Sequence, residues 1–561
     1  MPNKSSKRKA CKIAKPFTAC ISLFIIGLML VVPFLYYYHA LPIASFYQEG
    51  LTALIGLCAM PLLLTSRYWS NVEIPRIVLL PIGLMTLAIV QYCIGIIDHL
   101  DTLLIMSFYM VFAVLLMMIG HRLKVELGAH TVVVWLAVFL LIGAELNAAI
   151  GLIQHYLLNP FTLQFITSKS SIVVYGNVAQ ANHYAAYVSI GLVSLWLLSV
   201  QFSMRWWKVA LLASPLLFVI ILSGSRSGAL YVALIACVAY FWRNHLHTWR
   251  KLALWGGLLA IISFVAYLSI FGVGDSIRLN LWKDALVMFS HNPLFGSGLG
   301  QFAYQHFNLS AELKDAFVVG LYNNAHNLPL QIMVEFGLIG LVVLIVPLIL
   351  WICKAHKPTV YHLWGYAILA ILGIHSLLEY PLWYMYFVGI AALLLGMFDA
   401  TIYKLNWGMV GRVALLCILT LYTLSMVLIY DGYKHLELSM ALRKFAATDN
   451  RYFQPMQQEL YLTYENVFMR SYAELYSATL VTPDENRTGE KIALSDRSMH
   501  FIPVPQVALN QVLMLSIQGR PEEAKELLER VKWSFPAEYK AMLPMLENLA
   551  QKYPDKFGDI R

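Results

Sequence analysis

The stretch Phe17–Tyr38 reads FTACISLFIIGLMLVVPFLYYY and follows a basic start that extends from Lys4 to Lys15. It is long enough to cross a bilayer with a hydrocarbon core of about 30 Å, which needs about 20 residues. No small-residue cleavage site follows it, so we interpret it as an uncleaved first membrane span rather than a removed signal peptide. The basic start predicts a cytoplasmic N-terminus.

The composition predicts that much of the remaining chain also lies in a membrane. Of the 561 residues, 59% are hydrophobic and 13% are charged, and the mean hydropathy is +0.66. A soluble domain keeps about a quarter of its residues charged, so this chain needs lipid as its solvent. Hydropathy predicts an all-α, polytopic membrane bundle of about thirteen spans, at 17–38, 45–65, 76–98, 102–119, 130–155, 182–200, 207–223, 227–243, 252–272, 327–353, 361–377, 383–399 and 411–430.

Basic residues indicate the orientation of these spans, because they concentrate in alternate loops. The loops expected inside carry Arg67, Arg76, Arg122, Lys124, Arg205, Lys208, Arg243, Arg250, Lys251, Lys354, Lys357, Lys404 and Arg412. The opposite loops carry few charges, or acidic ones such as Asp98 and Asp101. This positive-inside pattern explains the net charge of +9 without a nucleic-acid partner. An odd number of spans then places the C-terminal tail outside.

The same analysis predicts three parts of the chain. They are the N-terminal spans 1–155, a central membrane part 156–430 and a soluble helical tail 431–561. The central part contains the longest loop between spans, 272–326, on the outside. In the tail, two amphipathic helices joined at Gly519-Arg520-Pro521 resemble one unit of a tetratricopeptide-type repeat. A helical cap and a protein-binding surface both fit this pattern.

A histidine at the outer mouth of a predicted span is the first candidate for chemistry. His326-Asn327 is followed by nine residues and then by Gly337-Leu338-Ile339-Gly340. We expect Gly337 and Gly340 to serve helix packing, because small residues one turn apart let another helix approach closely. The setting of His326 is unusually polar, which favours a functional role over an interfacial cap.

Four further motifs accompany this one on the same predicted face. They are Tyr175–Tyr184 (YGNVAQANHY), Ser223–Gly228 (SGSRSG), Arg278–Trp282 followed by Asn292–Phe302 (NPLFGSGLGQF), and His375–Tyr384 (HSLLEYPLWY). With these five motifs the chain resembles the O-antigen ligase and O-oligosaccharyltransferase family over roughly residues 150–430. The last motif and the soluble tail resemble its protein O-glycosylating, PglL-type subgroup.

The resemblance implies a donor in which a glycan is linked through pyrophosphate to a polyprenyl lipid. Arg226 and Arg278 are then expected to stabilise the negative charge on the leaving lipid pyrophosphate, since an arginine fork donates two hydrogen bonds to a phosphate. His326 is expected either to take the proton of the acceptor hydroxyl or to bind the leaving phosphate as an imidazolium. The sequence leaves both roles open.

Other polar residues at the outer helix ends are candidates for contacts with donor or acceptor. The set comprises Gln180, Asn182, His183, Asn327, His375 and Glu379. Helix capping is the rival explanation for Gln180, Asn182 and His183. His375 and Glu379 are spaced i, i+4, so we expect them on one helical face, as a structural pair or as substrate contacts.

The sequence therefore predicts a glycosyltransferase of a bacterial inner membrane, with the active site and the C-terminus in the periplasm. It would transfer a glycan to Ser or Thr hydroxyls of periplasmic or pilin proteins. We expect no cofactor, no metal and inversion at the anomeric carbon. The alternatives are an O-antigen ligase acting on lipid A–core, an O-antigen polymerase and, from another class, a transporter.

Overall fold

The computed structural model describes residues 16–69, 72–157, 162–169, 172–241, 277–355 and 359–558. Nearly all regular structure in these ranges is helical, which confirms the predicted all-α membrane fold. Within them, nine helical segments are long and apolar enough to cross a membrane, and three shorter apolar helices accompany them. These segments correspond to twelve of the thirteen predicted spans. The predicted span 252–272 lies outside the described residues.

The helices before the large loop at 272–326 have the following bounds. They are α1 (Phe17–Met29), α2 (Val32–Leu35), α3 (Phe46–Cys58), α4 (Ser66–Trp69), α5 (Leu79–Cys93), α6 (Leu100–Leu127), α7 (Ala129–Tyr156), α8 (Ala181–Gln201), α9 (Trp206–Leu222) and α10 (Arg226–Phe241). The large loop contains α11 (Ile277–His291), α12 (Phe302–Asn308) and α13 (Ser310–Leu313). The remaining membrane helices are α14 (Leu328–Cys353), α15 (Val360–Leu378), α16 (Met385–Phe398) and α17 (Gly408–Ala446). Short 3-10 helices occupy Met60–Leu64, Arg76–Val78, Thr162–Phe165, Gly176–Val178, Pro381–Trp383 and Asn450–Tyr452.

Two short strands form a small antiparallel sheet that the sequence did not predict. They are β1 (Val72–Pro75) and β2 (Ile402–Leu405), and Glu73 lies opposite Lys404. Strands of four residues are too short to show a clear alternation of apolar and polar positions. The two strands belong to loops that the basic residues assign to the same side of the membrane, so their pairing agrees with the predicted alternation of spans.

Helix α8 lies at the centre of the bundle and is buried on all sides by α7, α9, α10 and α15. Its tyrosine hydroxyls find backbone acceptors on neighbouring helices: Tyr184 donates to the carbonyl of Asn147 at 2.9 Å and Tyr187 to that of Leu30 at 2.7 Å. Buried hydroxyls need such partners, and here they also hold the helices together. The N-terminal end of α8, which begins at Ala181, is therefore fixed in position.

Helix α14 is broken where the sequence predicted close helix packing. Gly337 has φ 65° and ψ −161°, a conformation essentially restricted to glycine. A Cβ on Gly337 would overlap the carbonyl oxygen of Leu294. The expected packing role of Gly337 is therefore wrong, since this glycine makes room for the large loop rather than for another helix.

The tail consists of helices that pack successively against one another. After α17 these are α18 (Phe453–Glu465), α19 (Arg470–Leu480), α20 (Thr488–Phe501), α21 (Pro505–Ile517), α22 (Pro521–Ser534), α23 (Pro536–Lys552) and α24 (Pro554–Phe557). The junction between the two predicted tail helices lies where the sequence places it. Helix α21 ends and α22 begins around Gly519, which has a positive φ of 75°. Helix α17 continues through residue 431, so the last span and the first tail helix are one helix.

Candidate active site

A buried carboxylate lies at the centre of the site. Glu379 directly follows α15, and its backbone is extended, with φ −152° and ψ −166°. Its amide still donates to the carbonyl of His375 at 2.7 Å, but its side chain has left the helical face. The predicted i, i+4 pairing on one face is therefore wrong, because the helix ends one residue too early.

Three side chains from distant parts of the chain converge on this carboxylate. His326 Nδ1 lies 2.7 Å from Glu379 Oε2. The Nδ2 group of Asn182 donates to Oε1 at 2.7 Å, and Nη2 of Arg278 donates to the same oxygen. A carboxylate that is 3% exposed needs such partners, because an unpaired buried charge is costly.

The partners also determine the charge of Glu379. Burial acts to raise the pKa of its carboxyl. The hydrogen bond from His326 and the positive charge of Arg278 act in the opposite direction and outweigh burial, so the pKa lies below its ordinary value of 4.5. Glu379 is therefore an ionised acceptor at neutral pH.

Asn182 connects this cluster to the turn that precedes α10. Its Oδ1 accepts a hydrogen bond from Ser225 Oγ at 2.7 Å, and Ser225 Oγ in turn accepts from the amide of Gly228 at 3.1 Å. Arg226 is the next residue after Ser225, and its side chain is exposed at the start of α10. Two of the three expected catalytic residues, His326 and Arg278, thus share one carboxylate, and the third is adjacent in sequence to a member of the network.

His326 lies in a strained turn at the start of α14. Its φ is +50°, and its amide donates to Oδ1 of Asn324 at 3.1 Å. The ring lies edge-on to Tyr380, with 5.2 Å between the ring centroids. If Nδ1 carries the proton that is donated to Glu379, Nε2 is left as a hydrogen-bond acceptor. With 26% of its side chain exposed, His326 is accessible to a substrate.

Two other residues that were predicted to contact donor or acceptor cap helices in the structure. Gln180 caps α8, because its Oε1 accepts from the amide of His183 at 2.6 Å. Asn327 caps α14 by accepting from the amide of Leu330 and also donates to the carbonyl of Leu377. The capping explanation, which was the rival one for Gln180, is the one that the geometry supports.

His183 and His375 do not lie where a substrate could touch them. Both are 0% exposed, and their ring centroids are 5.0 Å apart inside the bundle. Complete burial contradicts the expected contacts of these two histidines with donor or acceptor. Their rings pack among the aromatic side chains of Tyr231, Tyr384 and Phe387.

Sequence reasoning named Glu379 but missed its central position, and it missed a second polar cluster around Gln91 and Glu335. Gln91 and Glu335 are buried in α5 and α14, where they contact the large loop. A polar residue within an apolar span is the signal that could have identified both.

The arrangement combines the elements of a group-transfer site. It has an imidazole oriented by a carboxylate, which can accept the proton of a hydroxyl. It also has a guanidinium with 31% of its side chain exposed, which can approach an anionic leaving group. Comparisons with known proteins agree with this chemistry.

Three family models match the chain. An "O-Antigen ligase" model matches residues 209–345, a "Protein glycosylation ligase" model matches residues 174–198, and a "Virulence factor membrane-bound polymerase, C-terminal" model matches residues 363–545. A curated relative is the "General O-oligosaccharyltransferase" of Acinetobacter baylyi, which is 24% identical over 388 residues. That alignment covers 64% of this chain and 67% of the relative.

The fold, the site and these matches define an integral membrane glycosyltransferase of the oligosaccharyltransferase type. The transporter alternative is therefore wrong. Segments of the chain match the O-antigen ligase and protein glycosylation ligase models, which confirms the predicted resemblance to the O-antigen ligase family and its PglL-type group.

Proposed function

We propose that this enzyme transfers a glycan from a polyprenyl-pyrophosphate lipid to Ser or Thr hydroxyls of periplasmic or pilin proteins. The observation that carries the proposal is the convergence of His326 and Arg278 on the buried carboxylate of Glu379. The relative's name, a general O-oligosaccharyltransferase, supports a protein acceptor.

In this proposal His326 is the general base. Its Nδ1 proton is directed at Glu379 Oε2, so Nε2 accepts the proton of the acceptor hydroxyl as the new glycosidic bond forms. Glu379 then stabilises the imidazolium that results, as the carboxylate does in a hydrolase triad. The alternative role, an imidazolium that binds the leaving phosphate, would require a protonated histidine at the start of the reaction.

Arg226 and Arg278 are proposed to bind the pyrophosphate as it leaves the anomeric carbon. Negative charge grows on the lipid pyrophosphate in the transition state, and fixed guanidinium groups stabilise it more there than in the ground state. The turn Ser223–Gly228 positions Arg226 beside Ser225, which is hydrogen-bonded to Asn182. Direct attack by the hydroxyl inverts the anomeric configuration, and the two arginines supply the positive charge without a metal.

We further propose that the protein lies in a bacterial inner membrane with its N-terminus in the cytoplasm. The site and the C-terminal tail would then face the periplasm. The alternation of basic residues among the loops supports this orientation. A lipid-linked donor would reach the site from the membrane, and the acceptor protein would approach from the aqueous side.

Glycan polymerisation is the second candidate, because the family model that matches residues 363–545 is described as a membrane-bound polymerase. A polymerase would use the same base and the same leaving group with a growing glycan as the acceptor. An O-antigen ligase would use a sugar hydroxyl of lipid A–core. The acceptor therefore separates these functions, whereas the site does not.

The test is deletion of the gene, followed by complementation with wild type, His326→Ala or His291→Ala. His291 is a matched control, because it lies in the same loop and 41% of its side chain is exposed. Intact masses of periplasmic and pilus proteins are measured beside a lipopolysaccharide gel. We expect glycan masses on proteins with wild type and His291→Ala, and none with His326→Ala at equal expression.

Two outcomes would contradict the proposal. Normal protein glycosylation by His326→Ala would remove the catalytic assignment of this histidine. Unchanged protein masses in the deletion strain, together with an altered lipopolysaccharide ladder, would assign the enzyme to ligation or polymerisation of O-antigen instead.

A further inference from the structure

A chain of buried polar groups links the break in α14 to the turn that carries His326. We propose that Gln331 and Glu335, on the first part of α14, are positioning residues that set the geometry of His326. The inference rests on the proposed function, since it assumes that His326 acts on the acceptor.

The first step is the insertion of the large loop into the broken helix. The amide of Ser297 donates to the carbonyl of Val334 at 2.8 Å, and that of Gly298 to the carbonyl of Glu335 at 3.0 Å. Beyond the break, the amide of Leu338 donates to the carbonyl of Pro293 at 2.8 Å. The backbone groups that the break would leave unpaired in the membrane are therefore paired with the loop.

The second step is a glutamine from another helix that closes this junction. Nε2 of Gln91, on α5, donates to the carbonyls of Phe295 and Glu335, both at 2.8 Å. Its Oε1 accepts from the amide of Leu299 at 3.2 Å. Gln91 is 2% exposed, and its bonds to Glu335 and Leu299 are buried. The loop after α11 and the first part of α14 are thus held to each other at a fixed point.

The third step is a series of hydrogen bonds that links this junction to the turn of His326. Glu335 Oε1 accepts from the amide of Gly300 at 3.0 Å and from Nε2 of Gln331 at 2.9 Å. Oε1 of Gln331 accepts from the amide of Ala325 at 2.8 Å, and Ala325 precedes His326. Gln331 and Glu335 are 1% and 4% exposed, so the chain lies within the protein.

The turn at His326 needs such support, because a non-glycine residue with φ +50° is strained. Ala325 is fully buried, so without Gln331 its amide would have no hydrogen-bond acceptor. The turn would then relax, and the imidazole would move relative to Glu379. A displacement of about 1 Å of a catalytic group costs on the order of a hundredfold in rate.

Helix α11 connects Arg278 to the break in α14. Arg278 lies at the first turn of α11, and the chain leaves the other end of α11 to enter the break in α14. The two helices contact each other, and Leu281, Ala285 and Val334 belong to one hydrophobic cluster. Arg278 and His326 therefore lie at one end of a helix pair, and the junction around Gln91 fixes the other end.

The experiment compares purified full-length variants in proteoliposomes with a lipid-linked glycan and a protein acceptor. Gln331→Met keeps the size of the side chain and removes both hydrogen bonds. We expect its kcat to fall about ten- to a hundredfold while the KM for the donor stays within about twofold, because the leaving-group arginines are not on this turn. A general loss of folding would reduce thermal stability and donor binding together.

A reciprocal exchange provides the rescue. In Gln331→Glu combined with Glu335→Gln, the carboxylate at position 331 still accepts from the amide of Ala325. The side-chain amide at position 335 can donate to that carboxylate and accept from the backbone amide of Gly300. We expect this double variant to recover most of the kcat that Gln331→Met loses. Gln511→Met is the matched control, since Gln511 is a tail glutamine that is 4% exposed and bonds to Asp496.

The outcomes separate this inference from the proposed function. Wild-type kcat in Gln331→Met would overturn the positioning role, as would a well-folded double variant that is as slow as Gln331→Met. If Gln331→Met does not accumulate, the kcat values of Gln331→Glu and of the double variant are compared instead. Both of these variants keep a hydrogen-bond acceptor for the amide of Ala325. If wild type glycosylates lipid A–core or a glycan instead of protein, the proposed function fails. The kcat of each variant relative to wild type is then measured with that acceptor.

Discussion

At the scale of single residues, Glu379 serves both the base and the leaving-group side of the site. One of its oxygens binds His326, and the other binds Arg278 and Asn182. Because Arg278 offsets part of its charge, the field of the carboxylate at the imidazole is weaker than that of an unpaired carboxylate. Glu379 can therefore orient His326 through one oxygen while its other oxygen is held by Arg278 and Asn182.

Replacing Glu379 by glutamine tests this orienting role. In Glu379→Gln the amide group can turn its NH₂ towards His326, so the proton on Nδ1 is no longer directed and Arg278 loses its ion pair. We expect the initial rate of glycan transfer to fall about 100-fold or more. Glu312→Gln is the matched control, because it makes the same substitution at a side chain of the large loop that is 56% exposed. Equal rates in the two variants would contradict the role.

The same variant has an expected pH dependence. The pKa of Glu379 is lowered in the folded protein, so its ion pairs contribute their full stability above the ordinary carboxyl pKa of 4.5. That contribution is lost as the pH falls through the lowered pKa. The difference in unfolding temperature between wild type and Glu379→Gln should therefore be constant from pH 7 to about 5 and shrink at lower pH. A difference that grows on acidification would indicate a raised pKa.

At the scale of elements, the sequence predicted the helices well and the break in α14 not at all. Hydropathy finds a span because each apolar residue contributes locally, and twelve predicted spans correspond to helices. The break depends on contacts between α14, the large loop and Gln91, which is 244 residues from Glu335. The end of α15 at Leu378 is also not visible in the spacing of His375 and Glu379, and it decides where the carboxylate points.

Gly337 is the residue at which this element can be tested. In Gly337→Ala the new Cβ would meet the Leu294 carbonyl, and the backbone would remain in a region that L-residues avoid. We expect the free energy of unfolding to fall by about 2 kcal/mol or more, with a loss of transfer activity. Unfolding in detergent measures the change in stability, and glycosylation in cells measures the transfer activity.

Gly373→Ala is the control for this prediction. Gly373 lies within α15, and no atom lies within 4 Å of the position that its Cβ would take. Alanine is favoured over glycine in a helix, so this variant should be at least as stable as wild type. If Gly337→Ala behaved like Gly373→Ala, the break would not depend on glycine.

At the scale of the whole molecule, the tail contacts the membrane part at several places, among them the start of α6 and the large loop. Ser471 donates from its amide and its hydroxyl to Asp101, at the start of α6. In the large loop, Phe307 is buried in the hydrophobic core of the tail, where its ring lies 5.9 Å from that of Phe535. The amide of Gly320 also donates to the carbonyl of Ser534 at 2.7 Å. The loop therefore has one anchor in α14 and another in the tail.

This second anchor gives the tail a role that its repeat-like sequence did not predict. A helical cap would protect the bundle, and a protein-binding surface would recruit acceptors. A tail that holds the loop instead supports α11 and α14, which carry Arg278 and His326. The three roles differ in one respect: only the last affects transfer to every acceptor, whatever its size.

Phe307→Ala distinguishes these roles. Removing a buried phenylalanine costs about 3–5 kcal/mol, and here the loss falls on the contact between loop and tail. We expect the loop to become sensitive to protease and the transfer rate to fall about tenfold or more, equally for a folded acceptor and for a short peptide acceptor. Phe445→Ala, at a side chain of α17 that is 56% exposed, should leave both rates unchanged. If Phe307→Ala slowed transfer to the folded acceptor and left the peptide unaffected, the contact would serve acceptor recognition rather than the geometry of the site.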